Sequence, residues 1–447
     1  MSQSVIRDPY RRSTLENGVR VVTHTIPGLR SCSIGALLDV GPRDEASGMA
    51  GLAHLTEHLM FEGTSNRDGL AIARLVDSLG GQAGGFITRD YTCFAATVID
   101  EYAPYVIDLF GDLLLNSTFP EECVIAQIGT VGRELAMMAD QPDRLVNDRL
   151  KSLVWPDHPL GRPVAGLPDT VNRLTREDVI YFTHRTYLPD RVIVAAAGGV
   201  DHDDFVAQVR DGFWRMIGEA GPRQPQRPEY RGGIEVITQP VNQAYFALAI
   251  PAPAYASPDR YGWHLLTTIL GGGISSRLFR EVRETRGLAF QISAEYQAYS
   301  DVGLLVIEGA TAPEDLEEVV SLAWAALCEL ASGVNPITAE ELWRAKMQLR
   351  GQHLLGDQDA STLFSRLVTQ ELYFGRAIPT DVIQIEIEAV DVGVIGALAE
   401  TLTEAVGSPA LVVVAPETAD LTRVRLQELL IPISRPIYVK PSFLTQV

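Results

Sequence analysis

The chain has 447 residues, of which 46% are hydrophobic and 21% charged, a globular composition with enough length for two or more packed domains. Acidic residues outnumber basic ones by 57 to 37, and the formal net charge of -20 argues against nucleic acid and anionic membrane surfaces as partners. The four cysteines are scattered, at Cys32, Cys93, Cys123 and Cys328, so we expect neither a disulfide framework nor a thiolate metal site.

The N-terminus and the apolar segments bear on localisation. The N-terminal sequence MSQSVIRDPYRRST contains basic residues but is not followed by the apolar core of a secretory signal. The longest apolar runs, residues 192–197 and 411–415, have the length of strands and are far shorter than a bilayer span. We therefore expect a cytoplasmic protein without a membrane segment.

The first clear elements are a strand and a helix. Residues 31–40 have the apolar-rich pattern of a strand, and residues 48–61 are apolar at Leu52, Leu55 and Leu59, which predicts an amphipathic helix. Gly63 is a plausible end of that helix.

The predicted helix carries the sequence His-Leu-Thr-Glu-His. His54 and His58 are four residues apart, so both imidazoles project from one helix face and can reach one ion. Glu57 borders that face. By chance alone, the pattern H-x-x-E-H occurs in roughly one chain in a hundred of this length, so its context decides whether it is a metal site.

A hydrolytic zinc site needs a third protein ligand and a position for water. Glu134 is our candidate, because it lies in a second predicted helix, residues 123–138, whose other residues are mostly apolar or small. An unpaired buried carboxylate is costly, and metal ligation would supply its partner. The alternative for Glu134 is a helix position that faces solvent.

The chemistry follows from these residue types. Zinc lowers the pKa of a bound water and polarises a scissile carbonyl, while Glu57 takes the proton of the water and returns it to the leaving amine. The residues predict a zinc peptidase. The ligand set favours zinc over other divalent ions.

A linker at residues 218–233, rich in Pro, Gly and charge, divides the chain into two similar halves. GLAHLTEHLMFEGT, from Gly51, aligns with YGWHLLTTILGGGI, from Tyr261, and EECVIAQIGTVGREL aligns with EELWRAKMQLRGQHL. The predicted domains are residues 1–217 and 234–447. His264, Thr267, Thr268 and His353 replace the metal-site residues in the second half, so we expect one zinc ion per chain.

These motifs carry a resemblance to the pitrilysin/insulinase family of inverted-motif zinc peptidases. The chain is similar to the short bacterial members and to the catalytic subunit of mitochondrial processing peptidase. The likeness covers nearly the whole chain and includes HPLGRPVAGLPDTVNRLTREDVIYFTHRTYLPDR, from His158, and LGGGISSRLFREVRETRGLAF, from Leu270.

The resemblance implies an α+β fold of two homologous domains, each a mostly antiparallel sheet flanked by helices, that form half of a clamshell. The chamber of such a clamshell admits peptides or unfolded segments and excludes folded proteins. By resemblance, the zinc ligands are His54, His58 and Glu134, and Glu57 is the base.

The resemblance also implies substrate-binding residues. Residues 80–98, centred on 86–91, look like the edge strand to which family members add the substrate, and Phe86 lies there. Gly84 and Gly85 stand in place of the Asn-Ala pair of the family, and Gln127 replaces a second Glu.

In the second half, Arg283 and Phe290 occupy the positions of an Arg and a Tyr that hold substrate near the zinc. Without the resemblance, Arg283 could equally form a surface salt bridge, and Phe290 would be assigned to the core.

Two functions remain open at this stage. The first is an active endopeptidase, which the retained ligands and base favour. The second is a non-catalytic or partner-dependent assembly subunit of the same fold. The altered substrate-binding residues point to an intermediate case, a catalytic subunit that relies on a partner chain to hold the substrate. In either case we expect a homodimer or a heterodimer with a related subunit, because one chain matches half of the chamber.

Overall fold

The computed structural model describes residues 9–221, 226–419 and 423–430. They form two sheets flanked by helices, which confirms the predicted α+β class, and they fall into two compact units. The first unit takes its described residues from 1–141, 155–229 and 350–383, and the second from 142–154, 230–349 and 384–447. In this described part of the chain, no helix combines the length and the apolar character needed to cross a membrane.

The sheet of the first unit has six strands in the order β1-β2-β6-β3-β5-β4. These strands are β1 (Tyr10–Thr14), β2 (Arg20–Thr25), β3 (Ser31–Leu38), β4 (Gln82–Ile87), β5 (Thr92–Ile99) and β6 (Val192–Gly198). Neighbouring strands are antiparallel except β2 and β6, so the sheet is mostly antiparallel, as predicted. β4 lies at an edge of this sheet.

The helices of the first half are α1 (Leu52–Leu59), α2 (Gly69–Ser78), α3 (Ala103–Asn116), α4 (Glu121–Ala139), α5 (Pro142–Val154), α6 (Pro168–Val171), α7 (Arg176–Thr186) and α8 (His202–Phe213). Helices α1, α3 and α8 cover one face of the sheet. Their buried side chains, among them Leu55, Phe110 and Phe205, share a core with Phe94 and Val194 of the strands. Burial of these apolar side chains stabilises the layer.

The sheet of the second unit has the order β7-β11-β8-β10-β9. Its strands are β7 (Gly233–Thr238), β8 (Ala244–Ala252), β9 (Ala289–Ala298), β10 (Gly303–Thr311) and β11 (Ala410–Ala415). This order repeats β2-β6-β3-β5-β4 of the first sheet, and the parallel pair of β7 and β11 corresponds to that of β2 and β6. The shared topology supports the predicted duplication.

The helices of the second half are α9 (Arg260–Gly271), α10 (Leu316–Ser332), α11 (Ala339–Gly356), α12 (Ala360–Phe374), α13 (Thr380–Ala389), α14 (Val392–Ala405) and α15 (Arg423–Leu429). A π-helical segment spans Phe279–Thr285. The segments aligned from the sequence correspond to the pair α1 and α9 and to the pair α4 and α11.

Helix α5 comes from the first half of the chain but belongs to the second unit, and helix α12 comes from the second half but belongs to the first unit. α5 packs on β8 and β11 in the second unit, and α12 packs on β2, β3 and β6 in the first. Each sheet has a second apolar face, and an amphipathic helix buries it. The units therefore differ from the predicted domains 1–217 and 234–447 in residues 142–154 and 350–383. Of the predicted linker 218–233, residues 222–225 lie outside the described part.

The predicted edge strand is a hairpin. Residues 88–91 form a turn between β4 and β5, in which the Thr88 amide donates to the Tyr91 carbonyl at 2.8 Å. The Thr88 hydroxyl accepts hydrogen bonds from the Asp90 and Tyr91 amides at 3.3 and 3.1 Å. The prediction that residues 86–91 form the centre of the strand is wrong, because these bonds end it. The edge strand is β4, which contains Gly84, Gly85 and Phe86.

Candidate metal centre

Helix α1 presents both histidines on one face. The Nε2 atoms of His54 and His58 are 3.3 Å apart. Leu52, Leu55 and Leu59, which the sequence predicted as the apolar face, are buried in the core of the first unit. Their burial fixes the rotation of α1 about its axis, so that the two imidazoles project together from the opposite side.

Glu134 reaches the same place from α4. Its Oε2 atom lies 3.7 Å from Nε2 of His54 and 3.6 Å from Nε2 of His58. Val124 and Val131 of α4 are buried in the core that also holds α1. The packing of α4 through these valines leaves Glu134 beside the histidines, with its side chain 33% exposed.

The three donor atoms fit one tetrahedral ion. Their separations of 3.3, 3.6 and 3.7 Å are close to the spacing of about 3.3–3.4 Å expected for ligands 2.0–2.1 Å from a tetrahedral zinc. No other group of three His, Cys, Asp or Glu side chains in the described part of the chain is as well placed for a metal. Two nitrogen donors and one carboxylate also match the ligand types that zinc prefers.

The charge state of His54 favours metal binding. Burial, and next the neighbouring His58, lower the pKa of His54 to about 4. The ring is therefore neutral at pH 7. A neutral imidazole offers one lone pair on a ring nitrogen, which a metal cation can accept.

Glu57 lies beside the three donors and is itself largely buried. Its Oε2 atom is 3.9 Å from Nε2 of His58, and its side chain is 13% exposed. Burial raises the pKa of Glu57, and the nearby Glu134 carboxylate raises it further, while His58 opposes the shift. A raised pKa makes a carboxyl group a stronger base, which suits a group that accepts and returns a proton.

The edge strand approaches Glu57 through a glycine. A Cβ atom at Gly85 would lie 2.2 Å from Oε1 of Glu57, whereas a Cβ at Gly84 would meet nothing within 4 Å. Ala83 and Ile87 face the core on the same side as Gly85. Gly84 and Phe86 face the opposite side, where the 41% exposed Phe86 ring contacts Tyr91 edge-on. Only Gly85 of the three predicted residues is next to Glu57.

Gln127 makes a hydrogen bond away from the three donors. Its Nε2 atom donates to Oε1 of Glu62, in the turn after α1, at 2.6 Å. Its Oε1 atom is buried without a hydrogen-bond partner among the described residues. This amide links α4 to the end of α1, where the family often has a carboxylate.

Arg283 and Phe290 lie in the second unit and contact each other. The Arg283 guanidinium is 4.6 Å from the ring centroid of Phe290 and 4.6 Å from that of Phe279. Phe290 is 77% exposed, so its assignment to the core from sequence alone is wrong. Stacking between two aromatic rings holds the guanidinium in place by cation–π attraction.

Glu45 is not among the site residues predicted from the sequence. It is 4% exposed and contacts the N-terminus of α1. Its signal in the sequence is an acidic residue shortly before a predicted helix start. The intervening residues 46–50 separate it from the usual N-cap position, which Gly51 occupies.

The fold and the donor set define a class, that of α+β proteins with an H-x-x-E-H sequence on one helix and a third, acidic donor on a second helix. The family model described as Insulinase (Peptidase family M16) matches residues 20–167, and the model described as Peptidase M16 inactive domain matches residues 173–349. The chain belongs to the insulinase family, peptidase family M16. His54, His58 and Glu134 lie in the first matched segment.

Individual relatives agree with this assignment. A Streptomyces coelicolor protein described as an uncharacterized zinc protease is 37% identical over 379 residues, which are 83% of this chain and 82% of the relative. The structure of a protease from Helicobacter pylori matches with a TM-score of 0.83 at 21% identity, over 91% of this chain and 99% of that one.

A chain in the structure of complex III from Candida albicans also matches. Its TM-score is 0.81 at 16% identity, over 94% of this chain and 99% of that one. At such low identity, the Helicobacter and Candida structures show a shared fold and nothing more.

Proposed function

We propose that the chain is a zinc-dependent endopeptidase that cleaves peptides or unfolded protein segments. The observation that carries this proposal is the grouping of three donor atoms within 3.3–3.7 Å of one another, beside the buried carboxyl group of Glu57. Membership of the insulinase family and the zinc protease description of the Streptomyces relative support both the metal and the reaction.

The proposed chemistry assigns a separate role to each side chain. His54, His58 and Glu134 would hold zinc, which polarises the scissile carbonyl and acidifies the attacking water. Glu57 would accept the proton of that water and deliver it to the leaving amine, because it borders the donors and has a raised pKa. One ion per chain is expected, since one such donor group occurs in the described residues.

The free edge of β4 supports the substrate class. A peptide that paired with this edge would lie beside Glu57, because Gly85 brings the strand into contact with that side chain. Pairing uses backbone groups and requires an extended chain. The proposed substrates are therefore peptides or unfolded segments of varied sequence.

We place the reaction in a closed chamber made by two chains, either two copies or one copy with a related subunit. In that chamber, Arg283 and Phe290 would contact the substrate, although Phe290 lacks the hydroxyl group of the tyrosine in relatives. A cytoplasmic location fits the scattered cysteines.

The alternative is a non-catalytic or partner-dependent assembly subunit. Three departures from the family pattern favour it, namely Gln127, Gly84 and Phe290. It requires no turnover by this chain alone, whereas the endopeptidase proposal requires turnover that depends on zinc.

Hydrolysis of one polypeptide in two states tests the proposed function. The zinc-loaded chain is incubated with a disulfide-bonded protein in its native fold and with the same protein after reduction and alkylation. We expect internal cleavage of the unfolded form only, abolished by a chelator and restored by zinc. Cleavage of neither form, with zinc bound, would favour the assembly subunit, and equal cleavage of both would contradict the substrate class.

A further inference from the structure

The N-terminus of α1 is capped by a distant carboxylate. Gly51, the N-cap residue, has the left-handed φ of 97° and no side chain that could accept a hydrogen bond. Oε1 of Glu45 accepts from the Gly51 amide at 3.1 Å and from the Ala53 amide at 2.8 Å, and Oε2 accepts from the Gly51 amide at 3.2 Å. Glu45 thus replaces the missing cap from six residues upstream.

The capped turn is the one that carries the first ligand. Ala53 directly precedes His54, and α1 has 8 residues, a length at which a helix alone is marginal. Its first-turn amides are buried, so an acceptor is needed to avoid unpaired donors. The conformation of the His54 backbone therefore depends on the acceptor that Glu45 provides.

Residues 165–170 contact the other side of the N-terminus of α1, opposite Glu45. A Cβ atom at Gly51 would lie 2.8 Å from the Ala165 carbonyl oxygen, and the Thr170 hydroxyl donates to the Ala50 carbonyl at 2.6 Å. Arg162 donates to the carbonyl of Glu45 itself at 3.2 Å. Glu45 is held in place, and the start of α1 lies between it and residues 165–170.

We infer that Glu45 is a positioning residue for the metal centre: by capping α1 it fixes the direction in which His54 and His58 present their donor atoms. This inference rests on the proposed function, because it assigns Glu45 a role toward the proposed zinc ion. Glu45 makes no contact with the ion in this role. Partners that orient ligands typically change metal affinity by about 10- to 100-fold when they are removed.

Two substitutions of similar size separate the cap from packing. Glu45→Leu removes the acceptor, whereas Glu45→Gln keeps an amide oxygen that can accept from the Gly51 and Ala53 amides. Zinc alone is titrated into metal-free protein against a chromogenic chelator. We expect Glu45→Leu to weaken zinc binding by about 10- to 100-fold and Glu45→Gln to stay within about threefold of the wild type.

The cobalt-loaded protein provides a readout that general destabilisation would not change. Its visible absorption reports the arrangement of the ligands, and we expect it to change in Glu45→Leu and not in Glu45→Gln. The matched control is Asp201→Leu, since Asp201 caps α8 by accepting from the Asp203 and Asp204 amides at 2.9 and 3.1 Å. This control should lower the melting temperature and leave zinc affinity unchanged, because α8 carries no ligand.

The outcomes separate this inference from the proposed function. If the wild type binds zinc and Glu45→Leu binds it equally well with the same cobalt spectrum, the inference alone fails. If the wild type binds no zinc, the proposed function fails and the inference with it. Should Glu45→Leu not fold by circular dichroism, Glu45→Asp keeps the carboxyl group and shortens its reach, and wild-type zinc affinity in that variant would overturn the inference.

Discussion

Glu57 and His58 are neighbours in sequence with different proposed roles, and this difference can be measured. His58→Ala removes one of three donor atoms and should abolish stoichiometric zinc binding. Glu57→Gln should keep the metal and lower kcat by about 10²- to 10⁴-fold, because an amide cannot accept the proton of the attacking water. Metal analysis and peptide hydrolysis on the same preparations give both quantities.

A different result would contradict the prediction for each variant. Full hydrolysis by Glu57→Gln would exclude Glu57 as the base. Stoichiometric zinc in His58→Ala would exclude His58 as a ligand. Loss of zinc in both variants would show that Glu57 is needed to form the site and would leave its role as a proton carrier without support.

Glu45 should make the stability of the metal-free chain depend on pH. Burial raises the pKa of this carboxyl group from 4.5 to about 8, so the folded state binds a proton that the unfolded state has released between these values. The contribution of Glu45 to stability is fully present below pH 4.5 and is lost as the pH rises through about 8. The loss is at most about 5 kcal/mol.

Urea unfolding of the metal-free chain at several pH values measures this dependence. Glu45→Gln, which cannot ionise, should flatten the profile between pH 5 and pH 8. The same slope in the wild type and in Glu45→Gln would assign the dependence to other groups. The protonated acid and the glutamine both retain an acceptor oxygen, so this result agrees with the capping role.

The sequence allowed the two histidines of the candidate metal centre to be placed together because their geometry is local. His54 and His58 are one helical turn apart, and the apolar residues at Leu52, Leu55 and Leu59 define the opposite face. The Glu45 cap depends on a left-handed glycine and on a loop that folds back over the helix start. Neither feature follows from helix periodicity.

At the scale of elements, we expect the edge strand β4 to tolerate an added methyl group at Gly84 but not at Gly85. In Gly85→Ala, the added Cβ would lie 2.2 Å from Oε1 and 2.9 Å from Cδ of Glu57, so the carboxylate must move. A misplaced catalytic group can lower the rate by about 100-fold. We expect a lower kcat with zinc content unchanged.

Gly84→Ala is the matched control, since its Cβ would meet nothing within 4 Å. Both variants place one alanine in the same strand and lose the same backbone freedom. Steady-state kinetics of the pair therefore isolate the contact with Glu57. Equal rates in the two variants would remove Gly85 from the proposed arrangement.

The attachment of α12, the second-half helix that belongs to the first unit, should depend on the buried carboxylate of Glu371. Glu371 of α12 is fully buried, with Oε1 3.0 Å from Nε of Arg12 and 3.6 Å from Nη1 of Arg20. Glu371→Ala would leave Arg12 and Arg20, whose side chains are 40% and 18% exposed, without this partner, and we expect a loss of about 1–3 kcal/mol in the free energy of unfolding. Urea unfolding followed by circular dichroism measures it.

Glu101→Ala is the control for this prediction. The pair of Glu101 and Arg30 has a similar distance of 3.0 Å, but the side chains are 62% and 71% exposed. An exposed pair contributes less than about 1 kcal/mol. If both substitutions had the same small effect, the cluster around Glu371 would not stabilise the attachment of α12.

The sequence predicted several elements but not their partners. Strand β3 and helix α4 lie where the apolar patterns placed them, and α1 is shorter than its prediction, since it spans Leu52–Leu59 and not 48–61. The turn at residues 88–91 and the exchange of α5 and α12 were missed. A turn closed by a threonine side chain has a weak sequence signal, and an amphipathic pattern shows that a helix has an apolar face without showing which sheet covers it.

At the scale of the whole molecule, the two halves of the chain share a fold but not the full set of candidate metal-site residues. Both sheets share one strand order, yet His264, Thr267, Thr268 and His353 stand where the first half has its donors and base. The core positions that determine the fold are retained in both halves, because burial requires apolar side chains and no particular chemistry. A second copy without ligands can therefore serve for substrate contacts alone.

The last prediction concerns the number of chains in the working enzyme. We expect activity per chain to fall on dilution, because one chain supplies half of the proposed chamber and an open site is exposed to bulk water. Closure excludes that water, strengthens the electrostatic interactions at the reacting atoms and holds the peptide in place. The replacements at Gln127, Gly84 and Phe290 favour a heterodimer whose second subunit supplies the missing substrate contacts, with the homodimer as the other form. Light scattering and peptide hydrolysis measured over the same range of protein concentrations test this. If Arg283, which lies between the rings of Phe279 and Phe290, contacts substrate in the closed form, Arg283→Ala should raise KM without changing zinc content. A stable monomer with constant specific activity on dilution would contradict the two-chain chamber.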